Sequence, residues 1–473
     1  MMIEKPFPGL RTILFKNPRK PIAVLNREVD AQLRLMVRHA YEHVSFYRDQ
    51  WDAAGFDPKD FSGVEDLSAI PMVDKKLIVG AGAEAMDPRA ANEEMFTMST
   101  SGTSGCAIHA QRTLHELRVS RRAYLRSLIK AGARPWHRTM TVCSPWLQAK
   151  QGKFVQKVLK THHVYPEQSI SEQIDLLHSF RPHGVVGQTG GIYLVARELV
   201  RRGQTFPLTF LGPTGTTLVR EMREAMREAF CVEPCDLYGA IEVGGIAWQC
   251  KKGNYHLDAD RVVVEIVDEQ GRPVKRGESG QVVVTSLYNY TMPFIRYQLL
   301  DIAAMSTRTC DCGCRFPVLG PIQGRINDFL PTAAGELVSP HYFFHLYDHA
   351  SGTPVKEWRI IQESVDDLTY EYIPEDDFNP ADLEIGMDKI REKFGDTVRL
   401  KVVAVDEVPM SATGKRTCIL SKLRPSSAAE DMPWIRELAG GRKDLAGVGG
   451  QDVTPTALAG TEAGFQNHSR VSP

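Results

Sequence analysis

Nine residues, Thr97-Met98-Ser99-Thr100-Ser101-Gly102-Thr103-Ser104-Gly105, crowd hydroxyls and glycines into one short stretch. Glycines let backbone N–H groups converge as a nest on an anion, and Ser and Thr hydroxyls add donors without bulk. A loop of this composition can therefore cradle a nucleotide's phosphates. Taken alone, the same composition also serves a solvated turn. A Walker-type phosphate loop is excluded, because it requires Lys-Ser/Thr directly after its last glycine, whereas here Gly105 is followed by Cys106-Ala107-Ile108.

A second constellation is made of thiols. Cys250 and His256 lie close in sequence, and Cys310-Asp-Cys312-Gly-Cys314 follows. One imidazole and several thiolates suit a tetrahedral Cys₃His zinc site, structural because four protein ligands leave no position open for substrate. The expected ligands are Cys250, His256, Cys310 and Cys312, with Cys314 as a substitute; buried free thiols are the alternative. The isolated Cys106, Cys143, Cys231, Cys235 and Cys418 are expected to be packing residues. In a large chain without secretory features, nine cysteines do not suggest a disulfide framework.

Further segments follow the hydroxyl-rich loop in a fixed order: Asp236-Leu-Tyr238-Gly239-Ala-Ile-Glu242, Arg296-Tyr-Gln-Leu-Leu-Asp301, Gly324-Arg325-Ile-Asn327-Asp328 and Pro409-Met-Ser-Ala-Thr-Gly414-Lys415. Together they resemble the adenylate-forming superfamily, and most of all its phenylacetate–CoA ligase branch. The opening is similar to that branch too, in Phe46-Tyr47-Arg48, Ala54-Gly55, Asp66-Leu67, Pro71 and Lys75-Lys76. The resemblance spans nearly the whole chain ahead of its C-terminal tail.

The resemblance implies a two-step reaction: a carboxylate and Mg·ATP give acyl-AMP and pyrophosphate, and CoA then displaces AMP. It implies phosphate contacts from Ser101, Gly102, Thr103, Ser104 and Gly105, adenine packing by Tyr238 and Gly239, and Mg²⁺ held by Glu242. Asp301 would accept the ribose hydroxyls, as a carboxylate with two acceptor oxygens can. Arg325 would reach the ribose or phosphate, Asn327 would be the hinge, and Lys415 would span the reacting carboxylate and α-phosphate. An apolar, aryl-shaped acid pocket would draw on Trp146, Gly187 and Gly215. Three departures stand out. Cys106-Ala107 replaces the usual Lys-Pro after the loop, Asn327 replaces Asp or Lys at the hinge, and Pro331-Thr-Ala-Ala-Gly335-Glu-Leu-Val-Ser339-Pro340 replaces a glycine-rich pantetheine segment. The last leaves CoA use less secure than adenylation, so an amine or a carrier protein is an alternative acceptor. A zinc-stabilised binding protein that keeps only the fold is the non-catalytic alternative.

These groups need a scaffold. Leu33, Met36, Val37, Ala40, Tyr41 and Val44 fall on one helical stripe between Asp30 and Trp51. From Ser120 to Val232, β-like runs (140–143, 184–187) alternate with helical ones (191–202, 220–230), the pattern of a mainly parallel α/β sheet. Val262–Val267 and Gly280–Thr285, either side of a Gly271-Arg-Pro turn, predict a β-meander or a barrel-like subdomain. Segments 358–361, 368–372 and 398–405, with a helix over 381–394, predict a small α+β unit. The expected fold is α/β, in three parts: 1–326 as the adenylation domain, 327–425 as a mobile C-terminal domain carrying the lysine, and 426–473 as a Gly/Ala/Ser-rich, disordered tail.

A formal net charge of −1 over 473 residues supplies no general attraction to nucleic acid or anionic membrane. Small-molecule partners are expected: an aryl carboxylic acid, ATP and CoA. The N-terminus has no apolar signal core, and no run reaches the roughly 18 apolar residues of a membrane span. A cytoplasmic protein is expected; whether it forms a homodimer stays open.

Overall fold

A computed structural model describes residues 7–99, 108–142, 160–165, 168–218, 220–268, 270–323, 330–333, 337–338, 342–343, 346, 355–374, 378–395, 397–408 and 419–423. The helical stripe near the start becomes two helices, α1 (Ile22–His43) and α2 (Ser45–Ala54), because Val44 is extended between them. The stripe still does what its spacing predicts: Leu33, Met36, Val37 and Ala40 of α1, with Tyr47 and Trp51 of α2, are fully buried. After α3 (Lys75–Ala81) comes an antiparallel hairpin, β1 (Met95–Ser99) and β2 (His109–Thr113), in which Ser99 faces His109. Thr113 and Glu116 then form a capping box that starts α4 (Leu114–Ala131), each satisfying an otherwise orphaned N–H of the other's turn.

The alternating region folds as read. β3 (Thr139–Val142), β4 (Thr161–Val164), α5 (Ile170–Phe180), β5 (Gly184–Gln188), α6 (Thr189–Arg201), β6 (Phe210–Thr214) and α7 (Arg220–Phe230) lead to β7 (Leu237–Ala240). Then β8 (Gly244–Gln249) and β9 (Tyr255–Leu257) return by short turns, which only antiparallel neighbours allow. With β13 (Val318–Leu319) they complete one eight-stranded mixed sheet, ordered β13-β9-β8-β7-β6-β5-β3-β4, parallel from β4 to β7 and antiparallel beyond.

β10 (Val262–Val267), β11 (Ser279–Ser286) and β12 (Tyr297–Ala304) form the expected meander as a three-stranded antiparallel sheet; no closed barrel occurs among the described residues. After β14 (Leu330–Pro331) and β15 (Leu337–Val338), the strands β16 (Val355–Ser364), β17 (Asp367–Pro374), β18 (Arg399–Ala404) and β19 (Ile419–Ser421) make a sheet ordered β18-β17-β16-β19, with α8 (Pro380–Phe394) between β17 and β18. Met387 and Ile390 of α8 pack with Ile360, Leu368 and Tyr370 in a hydrophobic cluster confined to residues from 330 onward. Two other large clusters lie under the N-terminal helices with the meander and around the parallel strands. No described helix is long and apolar enough to cross a membrane.

Candidate functional site

Strand β7 delivers Tyr238 and Gly239, and the turn after it delivers Glu242. The Tyr238 hydroxyl donates to Asp301 Oδ2 at 2.6 Å, and the Tyr297 hydroxyl donates to Glu242 Oε1 at 3.0 Å. Tyr297 and Asp301 both belong to β12, so one strand of the meander meets the end of β7 through two phenol–carboxylate bonds. Both carboxylates are nearly buried, at 8% exposure each. Sheltered oxygens of this kind suit a hard cation and a sugar's hydroxyls.

Asp301 reaches this position through an irregular strand. Between the pairs Gln281↔Ile302 and Val283↔Gln298, β12 carries two more residues than β11. Leu300 within that bulge has φ +62° and Arg296 just before the strand has φ +46°, both left-handed conformations unusual for side-chain-bearing residues. Arg296 is held there by Glu265, by the carbonyls of Ser68, Ile70 and Gly271, and by its own N–H donating to Thr285 Oγ1. Strain held by surrounding structure commonly marks a functional position.

The Glu242 turn is fixed from behind. The fully buried Arg112 of β2 donates to the carbonyl oxygens of Ile241 and Glu242 at 2.6 and 2.7 Å, and Asn289 Nδ2 donates to Glu242 O at 3.0 Å. Burial, reinforced by Arg261, pulls the Arg112 guanidinium down to about 10. Glu116, besides its capping role, accepts from the N–H groups of Tyr290 and Thr291. Arg112 thereby ties the β1–β2 hairpin to the Glu242 turn. Arg112, Asn289 and Tyr297 were not singled out from sequence. An arginine one residue before a Thr-x-x-Glu capping box, close after a glycine-rich loop, is the signal that points to the first of them.

Ser101, Gly102, Thr103, Ser104, Gly105, Trp146, Arg325, Asn327 and Lys415 lie outside the described residues. Of the two glycines expected to line the acid pocket, Gly187 in β5 faces backbone: a Cβ there would sit 1.9 Å from the Val142 carbonyl oxygen. A Cβ at Gly215 would meet nothing within 4 Å. Gly187 thus admits the neighbouring strand, whereas Gly215 borders open space.

The expected metal ligands do converge. One ligand atom from each of Cys250, His256, Cys310 and Cys312 lies within 4.8 Å of the others. Cys314 is buried but is not part of this group. Cys235 is buried as a packing thiol, whereas Cys231, expected to pack, is exposed beyond the end of α7, where the amphipathic stripe has run out.

A family model described as the CapK C-terminal domain matches residues 330–422. The phenylacetate-coenzyme A ligase of Thermus thermophilus is 27% identical over 87% of this chain and 98% of its own length. That of Aromatoleum evansii is 26% identical over 72% and 80%. A solved structure of 2-hydroxyisobutyryl-CoA ligase, in the postadenylation state with R3-HIB-AMP, superposes with a TM-score of 0.73 at 19% identity, covering 89% of this chain and 94% of that one. The fold is that of the adenylate-forming superfamily. In sequence, the chain is similar to phenylacetate–CoA ligases over most of its length.

Proposed function

We propose that this chain is an ATP-dependent acid–CoA ligase that works through an acyl-adenylate, with an aryl acid as substrate. The observation that carries the reading is the pairing of Tyr238 with Asp301 and of Tyr297 with Glu242 at one end of β7, in a chain similar to a phenylacetate-coenzyme A ligase along 98% of that relative's length.

In the first step a carboxylate oxygen of the acid attacks the α-phosphorus of ATP, and the bond to the β-phosphate oxygen breaks, giving acyl-AMP and pyrophosphate. Negative charge gathers on the phosphorus oxygens and the leaving group, so fixed donors and cations lower the barrier. Glu242 would hold Mg²⁺ for the phosphates, Asp301 would take the ribose hydroxyls, Tyr238 and Gly239 would lie against the adenine, and residues 101–105 would supply N–H and hydroxyl donors to the phosphates. Lys415 bridges the incoming carboxylate and the α-phosphate, and Arg325 reaches the nucleotide from the hinge at Asn327. Domain 327–425 then turns away from 1–326. In the second step the CoA thiolate attacks the acyl carbon, the acyl–phosphate bond breaks and AMP leaves. One site serves both half-reactions because the lysine departs between them. A zinc ion in the Cys/His cluster would be structural and take no part in either step.

The acceptor has a second reading. The small unit that presents it departs from the expected pantetheine segment at Pro331–Pro340 and is the part matched by the CapK C-terminal domain. The altered segment keeps an amine or a carrier protein as the runner-up acceptor to CoA.

Acid-dependent exchange of labelled pyrophosphate into ATP tests the first step. Phenylacetate, benzoate, their hydroxy- and amino-derivatives and the non-aryl 2-hydroxyisobutyrate form the panel, and CoA is then added to the best acid. Exchange limited to aryl acids followed by a thioester is expected. Exchange only with the hydroxy acid would remove the aryl pocket, exchange without a thioester would move the acceptor to the second reading, and no exchange with any acid would sink the ligase.

A further inference from the structure

We infer that Cys250, His256, Cys310 and Cys312 form a closed tetrahedral zinc site that locks the corner between β12 and the edge of the large sheet. The spacing is the first ground. Cys250 Sγ and Cys310 Sγ are 3.7 Å apart. That is far beyond the roughly 2.05 Å of a disulfide, but it matches the edge of about 3.8 Å that two thiolates subtend when each sits 2.3 Å from zinc. On the other side, Cys312 Sγ lies 3.1 Å from His256 Nε2.

The surroundings are the second ground. His256 is fully buried, its ring rests against Trp248, and its Nδ1–H donates to the Phe316 carbonyl at 3.2 Å, so the lone pair of Nε2 is directed at the thiols. A ligating histidine is usually oriented by such a second bond. Asn254 Nδ2 donates to Cys310 Sγ at 3.4 Å, support suited to a thiolate. Both chain segments turn tightly beside their cysteines through left-handed glycines, Gly253 at φ +79° and Gly313 at φ +84°. Three thiolates packed together without a cation would repel one another; three soft sulfurs and one imidazole select zinc over the hard cations that oxygen ligands hold.

The position says what the ion does. His256 pairs with Val318 across β9 and β13, and the Cys310–Cys314 loop is the link from β12 to β13. Tyr255, next to His256, donates its hydroxyl to Asp236, two residues before Tyr238. The ion therefore fastens the strand that carries Asp301 to the sheet that carries Tyr238, without touching either residue. No step of acid activation is assumed, so the site stands or falls apart from the ligase reading.

Metal content of the full-length protein, measured by elemental analysis and native mass spectrometry after gel filtration, tests it. One zinc per chain is expected, kept by Cys314→Ser and lost by Cys310→Ser and Cys312→Ser, with Asn254→Ala weakening retention by about 10–100-fold. Should the serine variants prove insoluble, cobalt substitution of the unaltered protein decides: intense visible bands of tetrahedral Co²⁺ with thiolate charge transfer support the site. Protein that holds no zinc and takes up neither zinc nor cobalt overturns the proposal. Zinc that survives Cys312→Ser but leaves with Cys314→Ser overturns the ligand set.

Discussion

Glu242 is held by main chain as much as by side chain, and this gives Arg112 a testable role. Two charge-assisted hydrogen bonds run from its guanidinium to the carbonyls of residues 241 and 242, each of a kind worth about 1.5–3 kcal/mol. Arg112→Met keeps the bulk but frees the turn. It is expected to raise the Mg²⁺ concentration needed for half-maximal pyrophosphate exchange by roughly 10-fold, the equivalent of about 1.4 kcal/mol, when assayed well below the variant's own thermal midpoint. An unchanged Mg²⁺ dependence would make Arg112 purely structural. Tyr297→Phe, which removes the hydroxyl that Glu242 Oε1 accepts, should move the same parameter in the same direction. Glu242 and Asp301 stand out in the sequence because their types and order resemble a known pattern, and the structure brings each to a tyrosine hydroxyl. Their supports were not legible, since a hydrogen bond to a backbone carbonyl leaves no local mark on the sequence.

Among the elements, α4 is anchored by a buried ionic group. Arg126 pairs with Asp258 and with Asp260, which also accepts from Asn17 at 2.8 Å, and the guanidinium lies over the Phe316 ring at 4.8 Å. Burial alone would push the Asp260 carboxyl up, yet Arg126 overrides it and leaves it below its ordinary value. A carboxyl depressed by folding stabilises the native state above its unfolded value and loses that contribution as the pH falls through the folded one. Arg126→Met should therefore cost about 3–5 kcal/mol at neutral pH, since it strands two buried carboxylates. The deficit should shrink on acidification, because Asp260, held below its ordinary value beside Arg126, gives up the pairing's contribution as it takes up a proton, whereas without Arg126 the same burial favours its neutral form. Denaturant unfolding of both proteins at pH 7 and pH 4 checks this, and a deficit that grows toward acid would contradict it. Helices and most strands were legible because burial on one face imposes a period, as Arg220–Phe230 and Val262–Val267 illustrate. The break at Val44 and the bulge at Leu300 were not, because local preference there yields to tertiary bonds such as Tyr238 to Asp301. The bulge also makes β12 sensitive to length: one residue removed between 298 and 302 would turn Ile302 and Ala303 to the wrong faces.

For the molecule as a whole, the two-step scheme separates what each part must do. Lys415→Ala is expected to abolish acyl-AMP formation yet leave ATP affinity within a few-fold. A chemically made acyl-AMP should still yield thioester when CoA is added, because the role proposed for the lysine is confined to the first half-reaction. Loss of both half-reactions together would argue against a rotating domain, and unchanged turnover would remove Lys415 from the mechanism. The α/β class and the small α+β unit were visible in the sequence as changes of period. That the strands on either side of β7 join into one mixed sheet was not, because strand order depends on pairing between distant segments. The buried cluster confined to residues from 330 onward gives that part of the chain a core of its own. A unit with its own core can melt by itself, so the chain need not lose its order in a single cooperative transition. Warmed gradually, it should stop turning over substrate before it stops holding nucleotide, and a calorimetric trace should show more than one event.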